Sequence, residues 1–200
     1  MHNECEGLVN QLTSYFPYIH YLWYLYSTEK LVSENQNRLT TIPHVGIIIA
    51  LTGRKNDDKA TYFQGIDLLI SYLLMKYIDF NVYVCTNPEK IKEIIYNKNV
   101  KQVWIFGHGW LDALDFDKNP LDYSDFKEIG EEQKKDFVGQ FHCNGQGKSP
   151  LSLADYILKT GGKKFVKRGI RCVKINRKAI ECCINSGLIH LEPNNNFNIN

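Results

Sequence analysis

Two short stretches of this chain hold residues whose types and spacing could do chemistry. One is Phe106-Gly107-His108-Gly109 and the other is Phe141-His142-Cys143-Asn144-Gly145. Each closes an apolar run, and each breaks into a polar residue close to glycine. A cysteine attacks as its thiolate, yet a free thiol with a pKa near 8.5 is mostly protonated at neutral pH. A histidine within reach takes that proton and later returns it to a leaving amine. Glycine beside such groups lets backbone approach a substrate carbonyl, where two N–H groups can hold the developing oxyanion. Gly109 and Cys143 would supply those amides. His142 is expected to point away from the face of Cys143, because neighbours along a strand alternate.

The plain alternative is structural. Cysteine is among the most buried residue types, and a lone loop histidine is ordinarily just hydrogen-bonded in place. What favours a dyad is the company the two residues keep. Both breaks fall at the C-terminal ends of expected strands, and parallel sheets share one such edge, where open α/β folds place their ligands.

The elements that would position the pair follow from hydrophobic pattern. Val45-Gly46-Ile47-Ile48-Ile49-Ala50-Leu51 is a continuous apolar run, as in a strand buried on both faces. Thr52 to Lys59 reads as a charged turn. Phe63, Ile66, Ile70, Leu73, Leu74 and Tyr77 follow helical spacing. Phe80 to Cys85 is a second strand, Asn87-Pro88 opens a helix carrying Ile91, Ile94 and Ile95, and Val100 to Phe106 is a third strand. Trp110 to Lys135 lacks periodicity and is expected to hold one short helix capped by Ser124. Asp136 to His142 is a fourth strand. A helix from Ser152 to Lys159, closed by Gly161-Gly162, follows. Phe165-Val166 and Ile170 to Ile175 read as one or two further strands, and Ala179 to Ser186 as a short helix. The order implies a mostly parallel sheet flanked by helices on both faces.

Before this domain, residues 8 to 31 crowd Tyr15, Phe16, Tyr18, Tyr21, Trp23, Tyr24 and Tyr26 together, with Pro17 suited to a first helical turn. A membrane span needs about 20 apolar residues, and His20, Glu29 and Lys30 interrupt this patch. A helix packed on the domain or at a homo-oligomer contact is expected, with a membrane-surface role as the alternative. Ser33 to Thr41 reads as a polar linker. The expected organisation is an N-terminal helical extension and linker over 1–42, a main domain over 43–193 and a disordered tail over 194–200.

Composition bounds the function classes. With 200 residues, 44% hydrophobic and 23% charged, one soluble domain with a sizeable core is expected. A formal net charge of +2 selects no partner, and nucleic-acid binding lacks an interleaved aromatic platform or known motif. The six cysteines show no regular framework, which fits a reducing cytoplasm better than a secreted scaffold. No CxxC occurs, and adjacent Cys182-Cys183 is poor chelating geometry, so no zinc is expected. Glu4 and Glu6 stand where a secretory signal would be basic.

The ordered pair of motifs resembles the caspase-like fold of clan CD cysteine peptidases, which includes caspases, gingipains, clostripain and the self-cleaving domain of large bacterial toxins. Those proteins carry a strand ending in His-Gly and then a strand ending in a small-residue-rich Cys motif. The matching stretches here are Val103 to Gly109 and Phe137 to Gly145, and the resemblance spans Val45 to Lys159. It implies a caspase-like α/β domain acting as a cysteine endopeptidase on protein or peptide substrates. His108 and Cys143 would be the dyad, Gly109 and Cys143 the oxyanion amides, and no cofactor would be needed. It also sets Asp67 where such proteins often have a helical Asp. The chain departs from the pattern in having Phe141 where many members have an acidic residue, and Asn144-Gly145 where they have Ser-Gly.

Specificity in such peptidases comes from charges beside the dyad. Asp112 and Asp115, with Asp117, Asp122 and Asp125 in the same loop, would suit a basic residue; Arg54 and Lys55 would suit an acidic one. A solvated acidic loop is the plain alternative. Lys163, Lys164, Arg168 and Arg171 read as the outward face of a late strand, or as an anion site such as one for a nucleotide phosphate. Small caspase-like peptidases act in antiphage defence, and some, as in Thoeris systems, answer nucleotide second messengers made by TIR-domain partners. Resemblance to them implies such an activator. Two other readings stay open: a catalytically silent caspase-like module that binds a ligand or partner, and a hydrolase with a nucleophile elbow. The elbow would lack its first glycine and would need its histidine after the nucleophile, where only His190 stands.

Overall fold

The computed structural model describes residues 23–36, 44–51, 65–116, 119–142, 147–167 and 175–188. Helix α1 spans 23–34. Then come β1 (His44–Ala50), α2 (Ile66–Met75), β2 (Phe80–Cys85), α3 (Pro88–Tyr96) and β3 (Val100–Phe106). Three two-residue strands follow, β4 (Gly109–Trp110), β5 (Ala113–Leu114) and β6 (Leu121–Asp122), with a 3-10 turn over Tyr123–Phe126. The chain ends its described course in β7 (Lys135–Gln140), α4 (Leu153–Ile157), β8 (Leu158–Val166) and α5 (Ile175–Asn185).

The apolar runs become a five-stranded sheet in the order β2-β1-β3-β7-β8, parallel throughout. Side chains alternate between its faces. One face packs Val45, Ile47, Ile49, Trp104 and Phe106 against α2 and α5 through Ile66, Ile70, Leu73 and Ile180. The other packs Ile48, Val103, Ile105 and Val138 against Ile91 and Ile95 of α3 and Leu153 and Ile157 of α4. The fold is therefore the α/β architecture expected, a parallel sheet covered by helices on both sides. Among the described residues no helix is long and apolar enough to cross a membrane.

Local chemistry sets the element ends. Asn87 caps α3 by accepting from the Lys90 amide at 2.9 Å, with Pro88 in the first turn. Lys135, fully buried at the start of β7, donates to Val100 O at 2.8 Å and Asn97 O at 3.0 Å. It joins the foot of β7 to that of β3.

Several expectations are corrected. The polar stretch from Ser33 is not a linker at its start: α1 runs to residue 34, and Gln36 forms a parallel bridge to Val82 at the open edge of β2. An unpaired sheet edge offers backbone partners whatever the side chains. The turn after β6 is capped by Asp122 rather than Ser124. The Asp122 carboxylate accepts from the Ser124 amide at 2.8 Å, while Asp125 accepts from the Asp122 amide at 3.0 Å. The helix expected to run to Lys159 stops at Ile157, and Gly161-Gly162 lies inside β8. There Gly161 takes φ +80°, and a Cβ on Gly162 would meet Lys159 O at 2.9 Å and Asp136 O at 3.0 Å. These glycines shape a strand irregularity, a role with the same local requirement as a helix stop. The last helix begins at Ile175, several residues before Ala179. Pro17, Thr52 to Lys59, the Ile170 to Lys174 part of the late strand, and the tail lie outside the described residues.

Candidate functional site

The two chemistry-bearing stretches leave neighbouring strands of the sheet. β3 and β7 pair in parallel with Ile105 opposite Gln140, and the Phe141 amide donates to Ile105 O at 2.8 Å. His108 follows Ile105 by three residues, and Cys143 follows Gln140 by three. Cys143, with Asn144, Gly145 and Gln146, lies outside the described residues, while His142 and Gly147 on either side are described.

His108 sits half-buried in the bend between β3 and β4. Gly107 reaches it by passing against β1: a Cβ there would meet Ala50 Cβ at 2.9 Å and Ala50 O at 3.0 Å. On the other side, Gly109 is gripped between two elements. A Cβ on it would run into Ala113 O and would stand 2.8 Å from His142 Nδ1. His142, fully buried, therefore lays its ring against the backbone just beyond His108. It is one direct contact between the His-bearing and Cys-bearing stretches, beside the stacked rings of Phe106 and Phe141. The Asp115 amide donates to His108 O at 2.9 Å, and Gly109 pairs with Leu114. That is the non-hydrogen-bonded pair of an antiparallel ladder, so the Gly109 amide points away from β5.

A layer of hydrogen bonds behind this contact fixes the two stretches to each other. Gln140, with no exposed surface, donates from Nε2 to Leu111 O at 2.8 Å and accepts at Oε1 from the Ala154 amide at 3.0 Å. The Leu153 amide also donates to Leu111 O, at 2.9 Å. Asp112 is 2% exposed, and its carboxylate accepts from the Ser149 amide at 2.7 Å. Gly147 passes so close to that carboxylate that a Cβ would overlap it. One end of β7, the loop after β4 and the start of α4 are thus a single hydrogen-bonded unit.

Asp112 and Asp115 are both buried rather than lining a solvated loop. Asp112 nevertheless forms part of a cavity of about 330 Å³ next to the His108 bend, walled also by Trp110, Pro120, Asp122, Gly147 and Lys148. Trp110 is 41% exposed at its mouth. The cavity joins an apolar wall to charges of both signs, a lining suited to an extended peptide side chain. Arg54, Lys55 and Asp117 lie outside the described residues. Lys163 and Lys164 are in β8, where Lys164 pairs with Asp155; Arg168 and Arg171 lie outside. Asp67 accepts from Tyr24 Oη at 2.9 Å and from Arg177 Nη1 at 2.8 Å, so it ties α1 and α5 to α2.

The described thiols, Cys85, Cys182 and Cys183, all lie outside the two candidate stretches. Burial pushes Cys85 and Cys183 up to about 12, so both stay protonated at neutral pH. Cys182 is exposed on α5.

Sequence reasoning missed Gln140 and the structural use of Asp112. A lone glutamine inside the apolar run Phe137 to Phe141 was a visible signal, since a buried amide must find partners. No protein-family model, curated protein or solved structure matches the chain.

Proposed function

We propose that the chain is a caspase-like cysteine endopeptidase with Cys143 as nucleophile and His108 as its general base and acid. The observation that carries the reading is the Ile105–Gln140 register pair, from which both residues follow by three. The contact of His142 with Gly109 across the two stretches supports it.

His108 takes the Cys143 proton, and the thiolate attacks the substrate carbonyl carbon to form the C–S bond. The resulting oxyanion is held by the amides of Gly109 and Cys143. His108 then gives its proton to the leaving amine as the C–N bond breaks, leaving a thioacyl-enzyme. Water, deprotonated by His108, attacks that thioester and releases the acid and the thiol. The cavity behind Trp110 holds the side chain before the cleaved bond. The test is a peptide-library digest with basic and acidic residues before the scissile bond, run with wild type and Cys143→Ala. Cleavage confined to wild type is expected; equal cleavage by both would sink the proposal.

A second reading, a catalytically silent module of the same fold, is favoured by Phe141. Its ring stacks on Trp104, Phe106 and Phe165 at 5.4, 5.1 and 5.1 Å, so the position where many relatives are acidic is here committed to the core. Ligand binding that survives Cys143→Ala, with no proteolysis under any condition, would favour it.

A further inference from the structure

The described residues that flank the Cys143 stretch, His142 and Gly147, are both held by the short span from Gly109 to Asp112 that follows His108. At the near end the His142 ring lies against Gly109. In the middle, Leu111 O accepts from Gln140 Nε2 and from the Leu153 amide. At the far end Gly147 passes against the Asp112 carboxylate, which accepts from the Ser149 amide at 2.7 Å. The chain on both sides of Cys143 is thus fixed to the loop that leaves His108.

Asp112 is the far strut, and its chemistry suits a strut better than a charge displayed to substrate. At 2% exposed, its carboxylate is taken out of water, which is tolerated only where hydrogen bonds replace hydration. A charged acceptor makes the shorter and stronger kind of hydrogen bond. Both partners of that bond are anchored in turn. The Tyr123 amide donates to Asp112 O at 3.0 Å, which ties Asp112 to the 3-10 turn. Ser149, also buried, has its Oγ 2.9 Å from Tyr156 Oη of α4 and accepts there from the Leu151 amide at 3.1 Å. Gly147 completes the contact, since a Cβ on it would overlap Asp112 Oδ1.

We propose that Asp112 is a positioning residue of the peptidase, holding Cys143 within reach of His108, and that it governs the rate rather than the residue preference. The inference rests on the proposed dyad and adds a residue to it. Asp112 acts through the Ser149 amide and the backbone of Gly147, not through contact with substrate. The cavity it lines takes its preference instead from its exposed wall, Trp110 above all.

The test is the pH profile of Cys143 alkylation by iodoacetamide, read by peptide mass spectrometry on the full chain, in wild type, Asp112→Ala, Gly147→Ala and the double variant. In wild type the inflection is expected below the free-thiol value of about 8.5. An inflection at that value, unmoved by His108→Ala, would overturn the dyad and this proposal with it. In Asp112→Ala the inflection should rise towards about 8.5. Peptide turnover should fall on the order of 100-fold, alike for basic, acidic and apolar residues before the cleaved bond, with KM little changed. Removing a nearby anion has the opposite effect on a thiol, because it favours the thiolate. An inflection that falls or stays in place, or a loss confined to basic residues, therefore contradicts the proposal and leaves the dyad standing. Should Asp112→Ala fail to melt cooperatively, Gly147→Ala carries the test: its added methyl displaces the carboxylate from Ser149 and should raise the inflection likewise. In the double variant that methyl occupies the room the carboxylate leaves, so the two losses should not add; full additivity counts against the contact.

Discussion

Ile105 and Gln140 face each other across β3 and β7, and the glutamine does more than mark the register. Its side chain holds Leu111 of the His-bearing side and Ala154 of α4 in one bridge. Gln140→Leu keeps the bulk but leaves the Ala154 amide buried without its acceptor. A loss of about 1–3 kcal/mol in urea unfolding is expected. If the bridge positions His108 and Cys143, turnover of the folded variant falls further, on the order of 100-fold, with KM little changed. Gln140→Glu keeps the acceptor for Ala154 but turns a buried carboxylate oxygen towards Leu111 O, so it should not recover the stability. Its loss should shrink as the pH falls and the carboxyl takes up a proton.

Lys135 gives a pH signature. Burial lowers its ammonium from the usual lysine value of 10.5 to about 7, with Lys101 nearby adding to the shift and Asp136 opposing it. Between about pH 7 and 10.5 the unfolded chain therefore binds a proton that the folded chain does not. Stability from this group rises with pH across that window, by at most about 1.4 kcal/mol per pH unit. Below pH 7 both states are protonated and the full penalty applies. Denaturant titrations at several pH values should show the slope in wild type and its loss in Lys135→Met.

Asp67 is the staple of α1 and α5 onto α2. Burial raises the Tyr24 hydroxyl pKa, so that group remains a donor at neutral pH. Arg177 is about half exposed, and solvent screens its ion pair. Asp67→Ala should cost about 1–3 kcal/mol and Asp67→Asn less than half of that. A double-mutant cycle of Tyr24→Phe with Asp67→Ala should show coupling, whereas purely additive losses would deny the contact.

The legible parts of the sequence were those where one signal had one meaning. Phe80–Cys85 and Val100–Phe106 are strands at the bounds their apolar runs define. Asn87-Pro88 starts its helix where a cap and a first-turn proline must. The errors arose where a residue serves two conformations. Gly161-Gly162 fits a helix stop or a strand bulge, and only the approach of Asp136 O decides. The two-residue strands β4, β5 and β6 are too short to show a period, and backbone pairing alone defines them. At the candidate site, the strand-edge positions could be read from the apolar runs. The burial of Asp112 could not, because it depends on an amide far along the chain, at Ser149.

The most direct measurement is site-resolved labelling of the purified chain with a thiol-directed peptidyl probe, read by peptide mass spectrometry. Modification at Cys143 is expected, well ahead of exposed Cys182, and it should fall steeply in His108→Ala while the fold persists. Labelling that favours Cys182, or that proceeds equally well without His108, would contradict a Cys143–His108 dyad.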